Sequence, residues 1–376
     1  MDLAENKDRK KQEKKKPSAL NIVKGAEGGR QGSASPGKSD RRHGRQLPTS
    51  EYVKGVLDGD RTILGKAITL IESNAPAHQD QAQEVLKELM PHTGGSIRVG
   101  ITGTPGAGKS TFIETLGTYL TDRDHMVAVM AVDPTSSLTK GSILGDKTRM
   151  QDLGRHPNAF IRPSPSGGTL GGVARKTRET MLVFEAAGYD VLLVETIGVG
   201  QSEIAVRSMV DFFLLIMIAG AGDELQGIKR GVMELADAVV INKADGDNVK
   251  RAKMAREEYA RALHYLQPRA EGWTTEVHTA SAIKGTGIPE IWELVEEYRE
   301  ITQRSGYFEK QRRQQSKEWL HSMLREKIHS LFYNNEEIQK LLPAIENAVL
   351  EGKIPVTQAA WELLQKFEKK LKNEKK

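Results

Sequence analysis

Eight residues constrain this chain more than any other stretch. Gly103-Thr104-Pro105-Gly106-Ala107-Gly108-Lys109-Ser110 stands between an apolar run at 97–102 and a helical stretch at 111–120. This is the spacing G-x-x-x-x-G-K-[ST] in the context it requires, a strand before and a helix after. The glycines let the backbone wrap phosphates, and the helix N-terminus, opening at Thr111, aims N–H groups at them. Lys109 is placed for the β and γ oxygens and the Ser110 hydroxyl for Mg²⁺. The alternative, a glycine-rich turn with an incidental lysine, leaves the flanking strand and helix unexplained. Thr104 stands where dimeric partition-type ATPases carry an additional lysine, which disfavours an ATPase of that type.

The rest of the chain fits a sheet around such a loop. β-Branched and apolar runs at 97–102, 127–132, 191–195, 212–219, 238–241 and 275–279 alternate with stretches of helical periodicity. Strands separated by crossover helices predict an α/β fold with a mainly parallel sheet flanked by helices. The longest apolar run, 212–222, is far short of the roughly 20 residues a membrane span needs, and reads as a buried central strand. Apolar residues at helical spacing predict two or three short helices between Ser50 and His92. After Gly306 they predict two faces, one with Trp319, Leu320, Met323, Leu324, Ile328 and Leu331, the other with Leu341, Leu342, Ile345, Ala348 and Val349. The expected division is a disordered basic tail at 1–46, a helical region at 47–94, a nucleotide domain at 95–305 and a helical arm at 306–376. An apolar stripe beyond a complete domain needs a surface to cover, and a homodimer is favoured over self-packing.

Charge and composition remove other classes. Lys plus Arg number 55 against 50 Asp plus Glu, but residues 1–46 hold 13 basic against 6 acidic groups. With the lysine-rich end at 366–376 also set aside, the body is mildly acidic. A nucleic-acid partner is therefore not expected, and the scattered aromatics offer no base-stacking platform. No cysteine is present, which excludes disulfides and thiolate metal sites. His125 and His156 lack companions at ligand spacing. There is no apolar run for a secretory signal, and Asp2, Glu5, Asp8 and Glu13 argue against an acid-poor transit peptide, so cytoplasmic residence without stable membrane insertion is expected.

Asn242-Lys243-Ala244-Asp245 directly follows the run at 238–241, where an N-K-x-D base reader sits. A carboxylate at Asp245 accepts from guanine N1–H and the N2 amine, whereas adenine offers neither donor. An unpaired buried charge costs on the order of 1–3 kcal/mol or more, which favours GTP over ATP. Ser281-Ala282, after 275–279, fits the small backbone-donor loop that completes guanine recognition. Asp133, after the run at 127–132, and Asp146 are Mg²⁺ candidates, directly or through water. The bland readings are a turn before Pro134 and a solvated loop acid. Glu195-Thr196-Ile197-Gly198 ends another strand, with the Gly198 N–H available to a γ-phosphate. Val199 occupies the place of the usual water-positioning glutamine. Gln201 either substitutes or is a loop residue, and slow intrinsic hydrolysis completed by a partner or a rearranged loop is expected. The polar loop 220–230 either reorganises with nucleotide state, bringing Gln226, Lys229 or Arg230 to the phosphates or a partner, or is a plain connection. The glycine-rich stretch at 167–172 is either a mobile switch or a close backbone approach.

Taken in order, G-T-P-G-A-G-K-S-T, V-D-P-T-S-S, G-S-I-L-G-D-K-T-R-M, G-G-T-L-G-G-V-A, V-E-T-I-G-V-G-Q-S-E, A-G-D-E-L-Q-G-I-K-R-G and N-K-A-D resemble the MeaB/ArgK family of P-loop GTPases, from about Leu47 to Phe367. The resemblance implies a P-loop NTPase domain and a GTPase acting as chaperone of an adenosylcobalamin-dependent acyl-CoA mutase, most often methylmalonyl-CoA mutase. GTP turnover would gate cobalamin loading and protect or reactivate the mutase, the adenosylcobalamin belonging to the partner enzyme. It also implies roles for Asp133, Asp146 and Glu195 in the metal and catalytic shell, for Asn242 and Asp245 at guanine, and for Gln226 and Lys229 in coupling hydrolysis to the mutase. A homodimer through the C-terminal helices is implied as well. An older family label, a kinase for arginine or ornithine transport, finds no support in these residues. A nickel-delivering metallochaperone GTPase and a small-substrate kinase are the alternatives. The first lacks cysteine and clustered histidine, and the second gives no reason for N-K-x-D.

Overall fold

The structure, a computed structural model, describes residues 46–132, 150–163, 170–196, 202–220, 230–265 and 270–373. Its strands are β1 (Ile97–Gly103), β2 (Val127–Val132), β3 (Ala159–Arg162), β4 (Val191–Thr196), β5 (Phe212–Ile218), β6 (Ala238–Asn242) and β7 (Glu276–Thr279). They form one sheet in the order β3-β2-β4-β1-β5-β6-β7, and every neighbouring pair is parallel. Six of these strands match the apolar runs in the sequence. The seventh, β3, has four residues at the sheet's edge and only Ala159 fully buried, so it carries no continuous apolar signature.

The helices are α1 (Thr49–Leu57), α2 (Arg61–Ile71), α3 (Pro76–Leu89), α4 (Lys109–Thr121), α5 (Gln151–Arg155), α6 (Leu170–Ala186), α7 (Ser202–Arg207), α8 (Arg230–Met233), α9 (Val249–Leu263), α10 (Ile288–Arg304), α11 (Tyr307–Tyr333), α12 (Glu336–Leu350) and α13 (Val356–Asn373). Successive strand residues point to opposite faces, and both faces are covered, so the central strands read as unbroken apolar runs. Ile97, Val99, Ile101, Val129, Leu193, Leu214 and Ile216 face α4, α5 and α10. Ala128, Met130, Leu192, Val194 and Phe213 face α1–α3, α6 and α7. Leu215, Met217, Val239 and Ile241 continue that second layer under α9. The three N-terminal helices thus belong to the wall of the sheet. Asp60 caps α2 by accepting from the Thr62 and Ile63 N–H groups at 2.8 and 3.1 Å.

A charged clamp holds α11 to the N-terminal edge of the sheet. Arg312 donates to both Asp211 oxygens at 2.7 and 2.6 Å and to the Gly94 and Ser96 carbonyls, each at 2.7 Å. Arg98 donates to Glu185 at 2.8 and 3.0 Å, and its N–H donates to Asp211. Burial alone lowers the proton affinity of Arg312, but the hydrogen bonds and charge of Asp211 outweigh it and raise the guanidinium's pKa. Further along α11 the single face expected from the sequence divides in two. Trp319 and Met323 line a cleft of about 490 Å³ shared with Arg178, Ile204 and Ser208, whereas Leu320, Leu324, Ile328 and Leu331 are exposed.

Candidate nucleotide site

The phosphate loop leaves the C-terminal end of β1, with β4 on one side and β5 on the other, and runs into α4. That places the first turn of a 13-residue helix at the mouth of the sheet, where its N–H groups and dipole face outward. Two glycines are sterically required. A Cβ on Gly103 would lie 2.0 Å from the Ile216 carbonyl oxygen, and one on Gly108, at φ 87°, would lie 2.8 Å from Asn242 Nδ2. The resulting cradle is open and lined by backbone, as an anion requires. Pro105 and Gly106 are exposed at its rim, Ala107 is buried, and Thr104 Oγ1 is a buried hydroxyl without a hydrogen-bond partner among the described residues.

Lys109 Nζ donates to the loop's own carbonyls, Gly103 at 2.9 Å and Thr104 at 3.3 Å. Burial depresses its pKa, and the nearby charges of Glu195 and Glu203 oppose that shift. Ser110 Oγ donates to Glu195 Oε1 at 3.0 Å, the carboxylate being 4 % exposed at the end of β4. A hydroxyl and a carboxylate beside a phosphate cradle are hard oxygen donors, so these residues fit Mg²⁺. Beside them the Thr196 hydroxyl donates to Thr102 at 2.8 Å, tying β4 to β1 below the loop.

At the end of β6, Asn242 is 1 % exposed and both ends of its amide are engaged. Nδ2 donates to the Ala107 carbonyl at 2.8 Å, and Oδ1 accepts from the Ala282 N–H at 3.1 Å. Asn242 thus joins the phosphate loop to the 281–282 loop. Lys243 takes φ 58°, uncommon for a side-chain-bearing residue, and its stem lies close to Gly108. Ser281 Oγ donates to Asp245 Oδ2, and the Thr115 hydroxyl of α4 donates to the Ala282 carbonyl at 2.7 Å. Lys109, Ser110, Glu195, Asn242, Lys243, Asp245, Ser281 and Ala282 therefore converge from four segments on one end of the sheet.

Asp133, Asp146, Gly198, Gln201, Gln226 and Lys229 lie outside the described residues. Thr115 and Glu203 escaped the sequence reading. Thr115 is one of several polar residues on α4 and carries no motif, and Glu203 closes the V-E-T-I-G-V-G-Q-S-E run without a role of its own being read from it. Among the described residues no cluster of three His, Cys, Asp or Glu side chains suited to a metal ion occurs.

A sequence model of the family described as methylmalonyl Co-A mutase-associated GTPase MeaB matches residues 64–337. The chain belongs to this family. It is 47 % identical over 313 residues to the GTPase ArgK of Escherichia coli, covering 82 % of this chain and 95 % of that one. It is 44 % identical over 326 residues to the mitochondrial methylmalonic aciduria type A homolog of Mus musculus, covering 83 % and 78 %. A crystal structure described as a LAO/AO transport system kinase superposes with a TM-score of 0.70 at 39 % identity, covering 85 % of this chain and 97 % of that one. Among the described residues no helix is long and apolar enough to cross a membrane.

Proposed function

We propose that this chain binds GTP with Mg²⁺, hydrolyses it to GDP and phosphate slowly on its own, and serves as chaperone to an adenosylcobalamin-dependent acyl-CoA mutase, methylmalonyl-CoA mutase first among them. The observation that carries the nucleotide reading is the Asn242 bridge. It holds a phosphate cradle and an acidic base reader, Asp245, at a fixed separation, an arrangement a phosphate-only or adenine site has no use for. The family's description and the name of the mouse relative support the mutase as client.

In this reading Lys109 exchanges the Gly103 and Thr104 carbonyls for phosphate oxygens, and the α4 N-terminus takes up the remaining charge. Asp245 accepts from the guanine edge while Ser281 keeps its second oxygen oriented. Ser110 and Glu195, with Asp133 and Asp146, would hold Mg²⁺, which neutralises charge on the transferring phosphoryl group. Gly198, Gln226 and Lys229 are assigned to the γ-phosphate and to coupling with the mutase. The exposed row Leu320, Leu324, Ile328 and Leu331 supports a homodimer through the arm. Adenosylcobalamin stays with the partner enzyme, and the acidic body gives no reason for a nucleic-acid partner.

Phosphate release from GTP and from ATP, measured with and without the purified mutase, tests the proposal. GTP preference and a higher rate with the mutase are expected. ATP preference with phosphate passed to a small substrate would overturn it.

A further inference from the structure

A second cavity, of about 520 Å³, opens between α3, α6 and α11. Leu86 of α3, Leu182 of α6 and Met323 of α11 give it apolar walls, and it shares Arg178 and Trp319 with the cleft on the α7 side. Gly94 and Arg98 in its lining place it at the N-terminal edge of the sheet, the end opposite the phosphate loop.

The charges around this cavity do not balance. Arg98 is held by Glu185 and Arg312 by Asp211. Glu179, the one carboxylate in the lining, already pairs with Arg175 at 3.6 Å and accepts from Gln83 at 3.4 Å. Arg178 differs from its neighbours. It is 9 % exposed, and it donates to the Ser208 hydroxyl and carbonyl at 2.7 Å each and to the Gln315 carbonyl at 3.2 Å, all of them neutral acceptors. Among the described residues no carboxylate forms an ion pair with it. A guanidinium has five N–H groups, so these three bonds leave two to spare. Burial and the like charge of Arg98 lower its pKa to about 10, Glu318 opposing them, and it stays a cation at neutral pH. A buried cation without a counter-ion is costly, and a ligand's carboxylate is the group that relieves it. The guanidinium carbon lies 5.4 Å from the centre of the Trp319 ring, whose buried N–H has no hydrogen-bond partner among the described residues. Lys87 adds an exposed cation to the lining.

We propose that this cavity binds a small carboxylate with an apolar body, of the medium-chain fatty-acid class, its carboxylate on Arg178 and the Trp319 N–H and its chain along Leu86, Leu182 and Met323. The volume falls in the range of roughly 300–1,000 Å³ usual for small-molecule sites. An acidic side chain from a protein partner would bring the charge but no length of chain to cover the apolar walls. Bound there, the ligand ties the root of the arm to α3 and α6 and leaves the phosphate loop free. The site is independent of the nucleotide reading.

The test is calorimetric titration of the full chain with octanoate and, separately, with octan-1-ol. Octanoate should saturate one site per chain and bind about tenfold or more tightly than the alcohol, the scale of a hydrogen-bonded charge. Hexanoate should bind about fifteenfold more weakly than octanoate, close to fourfold for each methylene withdrawn from the walls. Arg178→Met should lower octanoate affinity about tenfold and leave that of octanol within about twofold. Lys87→Glu, on an exposed side chain that folding does not need, should weaken octanoate about threefold and leave octanol unchanged. A merely structural role for Arg178 would weaken acid and alcohol alike. Equal affinity for the two probes, or no saturable octanoate binding up to about 10 mM, overturns the inference. N-acetylglutamate amide competing as well as octanoate would assign the site to a protein's acidic side chain and refute it too. If Arg178→Met does not fold, Lys87→Glu decides, an unchanged octanoate affinity counting against the proposal.

Discussion

Replacing Arg312 with Met isolates the clamp that fixes the arm. The Asp211 side chain is 1 % exposed and Arg312 17 %, so the acid is the partner that cannot recover water when the pair is broken. Met fills the volume of the aliphatic stem but removes both charged hydrogen bonds to Asp211, leaving it the Arg98 N–H at 2.8 Å. The Gly94 and Ser96 carbonyls also lose their donor. Removing one member of a buried ion pair costs about 3–5 kcal/mol, mostly because the remaining charge is stranded. With roughly 2–4 °C lost per kcal/mol in a domain of this size, the midpoint of thermal unfolding should fall by about 6–20 °C. The double variant Asp211→Asn, Arg312→Met removes the stranded charge and should be about 1–3 kcal/mol more stable than Arg312→Met alone. Urea unfolding followed by far-UV circular dichroism measures both. GDP affinity should be unchanged within about twofold, because β1 separates the clamp from the phosphate loop by about 20 Å, seven residues at the strand rise. The reasoning fails if Arg312→Met costs under about 1 kcal/mol, or if the double variant is no more stable than the single.

Asp245→Asn should move nucleotide preference from guanine toward xanthine, since the amide now donates where the carboxylate accepted; competition binding of GTP and xanthosine triphosphate would show it, and unchanged GTP preference would refute the base-site assignment. Glu185 supplies a test of sign. Burial pushes its pKa up, but the charge of Arg98 and hydrogen bonds from Arg98, Ser96 and Gly94 outweigh that and hold it below the ordinary 4.5. A depressed carboxylate contributes stability that is present above 4.5 and lost as pH falls through the lower folded-state value. In Arg98→Gln burial should dominate and raise the pKa, so the variant, weaker at neutral pH, should gain stability as pH falls toward 5, where the parent is flat; urea midpoints across pH 4–8 compare the two. Leu324→Glu on the exposed row of α11 should shift sedimentation toward monomer without changing GTP affinity, and an unchanged distribution would count against an arm-mediated dimer.

Much of this architecture is legible in the sequence because burial on both sheet faces turns the central strands into apolar runs, as in Phe212–Ile218. β3 is not legible, since a four-residue edge strand ending in Arg162 shows neither an apolar run nor a clean alternation. The phosphate loop and N-K-x-D declare themselves because backbone geometry and base chemistry admit few residues. What the motif does not disclose is the direction of a side chain. Asn242 turns inward to join two loops. The division of the α11 face likewise depends on where the first half of α6 and α7 lie, which helical periodicity alone does not encode.

The Asn242 bridge makes grip and identity separable. In the proposed function, strength of holding would come from one side of the asparagine, in the glycine cradle and Lys109, and recognition of the heterocycle from the other, in Asp245 and Ser281. Changes to the base reader can thus alter which nucleotide is accepted while the apparatus that handles its phosphates keeps its shape. Loss of the asparagine would let the two halves drift apart, and a site still carrying every contact residue would lose affinity and discrimination together.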